Sequence, residues 1–222
     1  MVNYKQLRLN NLYSPQFRHL LLLIYWVIYG LMFLFVERAI TLDYHVIECS
    51  LDRKIPFCEF FIIPYYFWYA FLVFINLYTL FFDIPTFKKL MYFIIIANTA
   101  TIIFYLIYPN MQELRPTEFA RDNIFTDMVK NLYIIDTNTN VCPSLHVIDS
   151  FAVLFAAWIA KGLNKPLWRT VFLILTVLIS ISTLFLKQHS VIDVVSASAL
   201  CLAVYPFAFI FPDLIIKMRQ KK

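Results

Sequence analysis

Glycine is nearly absent from this sequence, with two in 222 residues. Tight hairpin turns draw on glycine for positive φ, so β-sandwiches and barrels built on such turns are disfavoured. Charge is scarce as well, at 15% of residues, against about 25% in an ordinary soluble domain. The four cysteines, Cys49, Cys58, Cys142 and Cys201, lack the spacing of a metal site. Cys49 and Cys58 share one predicted loop, which is consistent with a bridge and equally with two free thiols. No carboxylate cluster of the metal-binding kind stands out.

What the chain does have is apolar length. Hydrophobic residues make up 61%, and the mean hydropathy is +0.71. Six runs approach the ~20 residues that a helix needs to cross a bilayer core. They predict spans at about 18–37, 60–82, 88–108, 145–161, 168–187 and 190–212. The expected fold is all-α, an integral membrane six-helix bundle forming a single domain over residues 1–222. The first run is long and no small-residue cleavage site follows it, so it reads as a membrane helix rather than a cleaved leader.

The net charge of +5 does not point to nucleic acid, because the basic residues sit at the ends of apolar runs. Lys5, Arg8 and Arg18 precede the first span; Lys88 and Lys89 lie between the second and third. Lys161, Lys165 and Arg169 lie between the fourth and fifth, and Lys217, Arg219, Lys221 and Lys222 end the chain. That places twelve of the 19 basic residues on one side, with Asp83 and Asp213 as its acids. The positive-inside rule then puts both termini in the cytoplasm. The opposite, outer side carries residues 38–59 and the longest polar stretch, 109–144, and long polar loops in compact proteins are often functional. The aromatic run Tyr65, Tyr66, Phe67, Trp68, Tyr69 fits an interfacial belt and helix packing equally well.

Ionisable residues near membrane depth are costly and therefore informative. Three places fall on the same outer face: Arg115-Pro116, Pro143-Ser144-Leu145-His146 and the segment from His189 to Asp193. His189 and Asp193 are four apart, so on a helix they would share a face. A carboxylate on one ring nitrogen fixes the tautomer and leaves the other nitrogen basic, as a nucleophilic or base histidine requires. Alone, such a pair is more simply a helix-start ion pair. Pro143 suits a first helical turn, and free N–H groups there with the Ser144 hydroxyl can hold a phosphate oxygen. Alone, that block is a capped helix start, and Arg115 alone is a headgroup contact. Together, two histidines and an arginine divide phosphoryl transfer: attack, proton donation, and charge stabilisation. Asp149, three residues after His146, either tunes that histidine, pairs with Arg115, or is a plain interfacial polar residue.

These blocks resemble the type-2 phosphatidic acid phosphatase superfamily of integral membrane lipid phosphatases and phosphotransferases. Its pattern is K-x6-R-P, P-S-x-H and S-R-x5-H-x3-D. The second block is complete at Pro143, Ser144, Leu145 and His146; the third keeps Ser182, His189 and Asp193; the first keeps Arg115-Pro116. The resemblance implies that His189 is the nucleophile forming a phosphohistidine, Asp193 its orienting partner and His146 the general acid. Arg115 and Ser144 would bind the phosphate, with Lys187 and Thr183 as further substrate-binding positions; neither a metal nor a cofactor would be required, and membrane lipids carrying a phosphate ester would be the substrates. The family lysine falls at Tyr108 and the family arginine at Thr183. Lys187 is a candidate replacement cation, within reach if its segment is a loop. Fewer fixed cations suit a phosphodiester better than a monoester. With Thr183 and Gln188-His189 the chain looks closer to the branch similar to inositol-phosphorylceramide and sphingomyelin synthases, which makes headgroup transfer an alternative to hydrolysis. The expected location is the cell membrane, with the site facing outward. A different class of reading is a non-catalytic membrane protein or a small transporter. Its polar candidates would be Asn76, Asn98, Thr99, Thr101 and Ser180, which equally serve helix packing.

Overall fold

The computed structural model describes residues 2–38 and 43–220, and the side chains of 215–217, 219 and 220 are left out. Lys221 and Lys222 therefore lie outside the described residues, as does the side-chain placement of Lys217 and Arg219.

Helix formation follows the apolar runs. A 3₁₀ turn over Arg18–Leu23 leads into α1, Ile24–Arg38. Another over Glu59–Phe61 leads into α2, Ile62–Phe82. Helix α3 covers Ile84–Ile107, α4 Ile124–Ile135, α5 Leu145–Ile159 and α6 Pro166–Phe185. Helix α7, Val191–Tyr205, passes through a π-turn at Pro206–Ile210 into α8, Phe211–Gln220. The π-turn falls at Pro206, whose missing N–H breaks the ordinary ladder.

Five of these stretches are long and apolar enough to cross a membrane: Arg18–Arg38, Glu59–Phe82, Ile84–Ile107, Pro166–Phe185 and Val191–Leu214. Helix α5 is shorter, with 15 residues or roughly 22 Å of rise. It packs against α2, α3, α6 and α7, so protein and not lipid surrounds it. A helix sheltered in this way has no need to match the hydrocarbon thickness. Its buried face uses Ala152, Ala156 and Ala157, small residues that let neighbouring backbones approach closely. Outward-facing side chains on α1 such as Val27, Leu31 and Phe35 are well exposed, as a lipid-facing surface requires.

Helix α3 starts earlier than hydropathy alone places it. Asp83 is its N-cap, accepting from the Thr86 N–H and hydroxyl, and Pro85 stands in the first turn. Lys88 and Lys89 thus ride on the helix instead of in a loop, and Lys89 reaches Asp213 on α8 at 2.5 Å.

The two ends of the bundle sort as the charge pattern groups them. At one end, Asp83 accepts from the Lys161 N–H, and Tyr4 donates to the Leu80 carbonyl. At the other end lie residues 43–58, the 109–144 segment and the α6–α7 turn. The 109–144 segment is more structured than its polarity indicates. It contains α4 and a two-residue strand, Asn110–Met111 (β2), paired in parallel with His45–Val46 (β1). Buried Asn110 also holds the approach to α5, accepting from the N–H groups of Val141 and Cys142. Cys49 and Cys58 are both free thiols. The aromatic run on α2 divides: Tyr65 is fully buried, while Phe67 and Tyr69 are exposed.

Candidate functional site

The second and third sequence blocks meet. His146, in the first turn of α5, and His189, in the α6–α7 turn, have ring centroids 6.2 Å apart. Both line a cavity of about 280 Å³ at the loop-rich end of the bundle.

His189 is not on a helix with Asp193, as the spacing by itself would have it. It precedes the N-cap of α7, Ser190, and Asp193 occupies the third helical position. Ser190 Oγ accepts from the Ile192 N–H, and Asp193 Oδ2 accepts from the Ser190 N–H at 2.9 Å. This reciprocal capping box orients the Asp193 carboxylate, whose Oδ2 also meets His189 Nδ1 at 3.1 Å. A hydrogen bond on Nδ1 leaves Nε2 as the free nitrogen. The turn is anchored from below, because the Thr183 carbonyl accepts from the N–H groups of both Gln188 and His189. It is anchored from above by Asp52. That residue's carboxylate accepts from the Ser190 hydroxyl at 2.7 Å, the Val191 N–H at 2.8 Å and the Cys49 N–H at 2.6 Å. Burial opposes ionisation of Asp52, but these donors outweigh it and hold its pKa below the usual carboxylate value.

His146 lies between two aromatic rings of α2, Tyr65 and Trp68, each 4.4 Å away by centroid. Its Nε2 is buried and has no partner among the described residues, and the same is true of Ser144 Oγ, Asp193 Oδ1 and Trp68 Nε1. Unpaired buried polar atoms are uncommon in folded chains and call for an explanation. Two of these atoms, His146 Nε2 and Trp68 Nε1, belong to residues that line the cavity. The indole N–H can only donate, which suits an oxygen-rich ligand.

The residues expected to bind phosphate stand differently. None of Arg115, Ser144, Thr183 and Lys187 lines the cavity. Arg115 Nη1 donates to the Tyr133 carbonyl at 3.1 Å, and Nη2 to the Asp136 carbonyl at 2.6 Å and to Gln188 Oε1 at 2.5 Å. Its guanidinium also lies 4.4 Å from the Tyr133 ring centroid. Burial lowers its pKa and nearby Asp136 opposes that shift. An arginine stays charged throughout. Lys187 does lie in a turn, with φ of 55°, but its buried ammonium donates to the Asp52 and Ile55 carbonyls. The Thr183 hydroxyl is satisfied by the Ser180 carbonyl. Asp149 does not pair with Arg115; it is fully buried and accepts from Asn98 at 3.1 Å.

Further residues of the site lie outside the three sequence blocks. Asp136, at the C-cap of α4, lines the cavity. Its Oδ2 accepts from the Tyr65 hydroxyl at 2.6 Å and from Gln188 Nε2 at 3.0 Å. Tyr65 and Trp68 are three apart, so one helical face presents both to His146. That i, i+3 pairing was available as a clue inside the aromatic run. Among the described residues, no group of three or more His, Cys, Asp or Glu is placed to hold a metal ion.

The whole is a multi-helix membrane protein with a paired-histidine cavity built at one end of its bundle. The sequence pattern of the PAP2 superfamily matches residues 88–216, more than half of the chain, and the protein belongs to that superfamily. Comparison with curated proteins and with solved structures returned no match. The family and the apolar helices fit a membrane phosphatase or phosphotransferase.

Proposed function

We propose that this protein is a membrane-embedded phosphoryl-transfer enzyme acting on a lipid phosphate ester through a phosphohistidine at His189. The observation that carries the reading is the pair of imidazoles on one cavity wall, with His189 Nδ1 on Asp193 and His146 Nε2 unpartnered. His189 Nε2 attacks phosphorus, and the bond from phosphorus to the leaving alcohol oxygen breaks. Protonated His146 gives that oxygen its proton, leaving a phosphohistidine and a neutral His146. Water or a lipid alcohol then attacks phosphorus and passes its proton to His146. The P–N bond breaks and both histidines return to their starting forms. Asp193 stabilises the positive ring formed on the way. The Trp68 N–H on the cavity wall is a donor for phosphate oxygens, and the Ser144 hydroxyl, unpaired at the N-cap of α5 but off that wall, would need to turn to join it. The guanidinium of Arg115, one side chain behind Gln188, provides the nearby positive field.

The cavity lies at the end of the bundle away from the basic N-terminal segment, so the reading places it at the outer membrane face, with both termini cytoplasmic and α5 as a sixth span. Its volume is near the lower end of ligand pockets, ~300–1,000 Å³, so it suits a headgroup while the acyl chains stay in lipid. Transfer of a headgroup phosphate, as in the inositol-phosphorylceramide and sphingomyelin synthase-like branch, is supported over monoester hydrolysis by the lack of lysine or arginine on the cavity wall.

The test uses purified protein in detergent with phosphorus-labelled lipids, with and without diacylglycerol. Acid-labile label on the protein and release of labelled product are expected for the native chain. Both should be lost in His189→Ala with the melting temperature little changed. Turnover surviving in that variant removes the proposal. Labelled free phosphate marks hydrolysis, and a new labelled lipid marks transfer.

A further inference from the structure

One short segment grips the chain on both sides of His189. Residues 49–58 precede α2 and lie outside the stretch that matches the family, which begins at residue 88. Within them Asp52 is buried and closes a turn with Cys49, its N–H donating to the Cys49 carbonyl and its Oδ2 accepting from the Cys49 N–H. On one side of His189, the Lys187 ammonium donates to the Asp52 and Ile55 carbonyls. On the other side, the Asp52 carboxylate takes the Ser190 hydroxyl on Oδ2 and the Val191 N–H on Oδ1. The Cys58 N–H donates to the Phe185 carbonyl at 3.0 Å and fastens the end of the strap. Backbone carbonyls therefore hold position 187 and a carboxylate holds 190 and 191, with only Gln188 and His189 between them.

The grip is transmitted to the imidazole. Asp193 Oδ2 meets His189 Nδ1 and accepts from the Ser190 N–H, while Oδ1 has no partner among the described residues. A single oxygen thus serves both neighbours, and its placement follows where the Ser190 N–H points. That N–H belongs to the N-cap residue of α7, whose hydroxyl is the group that Asp52 holds at 2.7 Å. A carboxylate over the first turn of a helix takes donors that the helix itself leaves unpaired, and it complements the helix dipole. Asp52 does this from outside the cavity, since it is not among the residues that line it. It is placed to orient the chemistry and not to meet the substrate.

Resting on the phosphoryl-transfer reading above, we infer that Asp52 is a positioning residue that fixes the nucleophile His189 through a chain of hydrogen bonds running Asp52, Ser190, Asp193, His189. Ser190 is the middle of that chain: its hydroxyl faces Asp52 and its N–H faces Asp193. The three sequence blocks mark the last two members and leave out the first two. Loosening the chain lets the imidazole turn away from the line of attack, and a misplacement of about 1 Å costs on the order of 100-fold in rate. Lipid binding is left as it was, because neither Asp52 nor Ser190 lines the cavity.

The experiment measures kcat and KM for radiolabelled dioctanoyl phosphatidic acid and dioctanoyl phosphatidylcholine in detergent, well below the melting temperature of each variant. Asp52→Asn leaves one of its donors without an acceptor, and Ser190→Ala removes the hydroxyl while keeping the N–H. Each is expected to lower kcat by about tenfold or more on whichever lipid the native protein uses, with KM within about twofold. Acid-labile labelling of the protein should slow by the same factor. The double variant should fall within about twofold of the slower single one, because both changes cut one chain. Arg53→Ala alters the neighbouring exposed residue, which pairs with Glu48, and should leave kcat within about twofold of native. Ser190→Ala is the milder change and decides the matter should Asp52→Asn not fold. An unchanged kcat in a folded single variant, losses that multiply in the double variant, a loss confined to KM, or an equal loss in Arg53→Ala each overturns the inference. All four are read against native turnover and leave the underlying reading intact. A native protein that turns over neither lipid and takes no acid-labile label sinks the phosphoryl-transfer reading itself.

Discussion

Arg115 reaches the cavity wall through Gln188, its Nη2 donating to the amide oxygen at 2.5 Å while the amide nitrogen of Gln188 donates to Asp136 Oδ2 at 3.0 Å. The amide therefore stands between a cation and an anion and satisfies both. Gln188→Leu removes an acceptor from the guanidinium and a donor from the carboxylate together. Hydrogen bonds to charged groups contribute ~1.5–3 kcal/mol, which corresponds to roughly 10- to 100-fold in rate. A fall of that size in kcat/KM is expected, measured on the lipid that the native protein turns over fastest. An unchanged value would show that Arg115 acts independently of Gln188.

Asp193 has two separable duties, and two substitutions divide them. It caps α7 through the Ser190 N–H and orients His189 through Nδ1. Asp193→Asn retains an acceptor oxygen for the cap but loses the charge opposite the imidazole. Turnover should fall by about 10²–10⁴-fold, with thermal stability near that of the native chain. Asp193→Ala removes the cap as well, which costs about 1 kcal/mol more. Melting curves and initial rates on the same preparations check both. Equal stability losses in the two variants would contradict the division.

The helices and the histidine blocks were legible in the sequence because each rests on local pattern. Apolar run length reports the hydrocarbon solvent directly, and Pro143-Ser144-Leu145-His146 is contiguous. Lateral order is a different matter. Asp136 lies in a polar segment with no periodicity and gains its meaning from Tyr65 and Gln188, 71 and 52 residues away. Helix α4 is amphipathic, and its polar face masked it within a loop-like stretch. Lys187 was a reasonable phosphate ligand by proximity to His189, but a positive φ turns its side chain toward the Asp52 and Ile55 carbonyls. The i, i+4 spacing of His189 and Asp193 described the right pair for an incomplete reason: the two are joined by a cap, not along one helix face.

Asp52 makes stability depend on acid. Its carboxyl is held below the ordinary value by three donors that outweigh burial. A depressed folded-state pKa contributes stability above the unfolded value of about 3.9, and that stability is lost as pH falls through the folded one. The melting temperature of the native protein should therefore drop as pH is taken from 6 to about 3. Asp52→Asn should start lower at pH 6 and show a shallower drop. Parallel curves for the two proteins would exclude Asp52 as a source of the acid sensitivity.

Gly162 tests how tightly the opposite end of the bundle is closed. Its φ is +86°, a region that side-chain-bearing residues rarely adopt, and a Cβ there would stand 2.6 Å from the Tyr78 hydroxyl. That hydroxyl is not free to swing away, because it donates to the Lys161 carbonyl at 2.8 Å. Gly162→Ala thus combines backbone strain with displacement of a hydrogen bond joining α2 to the α5–α6 loop. A loss of more than about 1 kcal/mol is expected in unfolding experiments. Gly162→Ala combined with Tyr78→Phe should recover part of it, since the clashing oxygen is gone while the φ strain remains. Because this turn lies at the far end from the histidines, kcat/KM measured well below the melting temperature should stay within about twofold of native. A selective loss of activity without loss of stability would mean that the two ends of the bundle are coupled more strongly than their separate hydrogen-bond networks indicate.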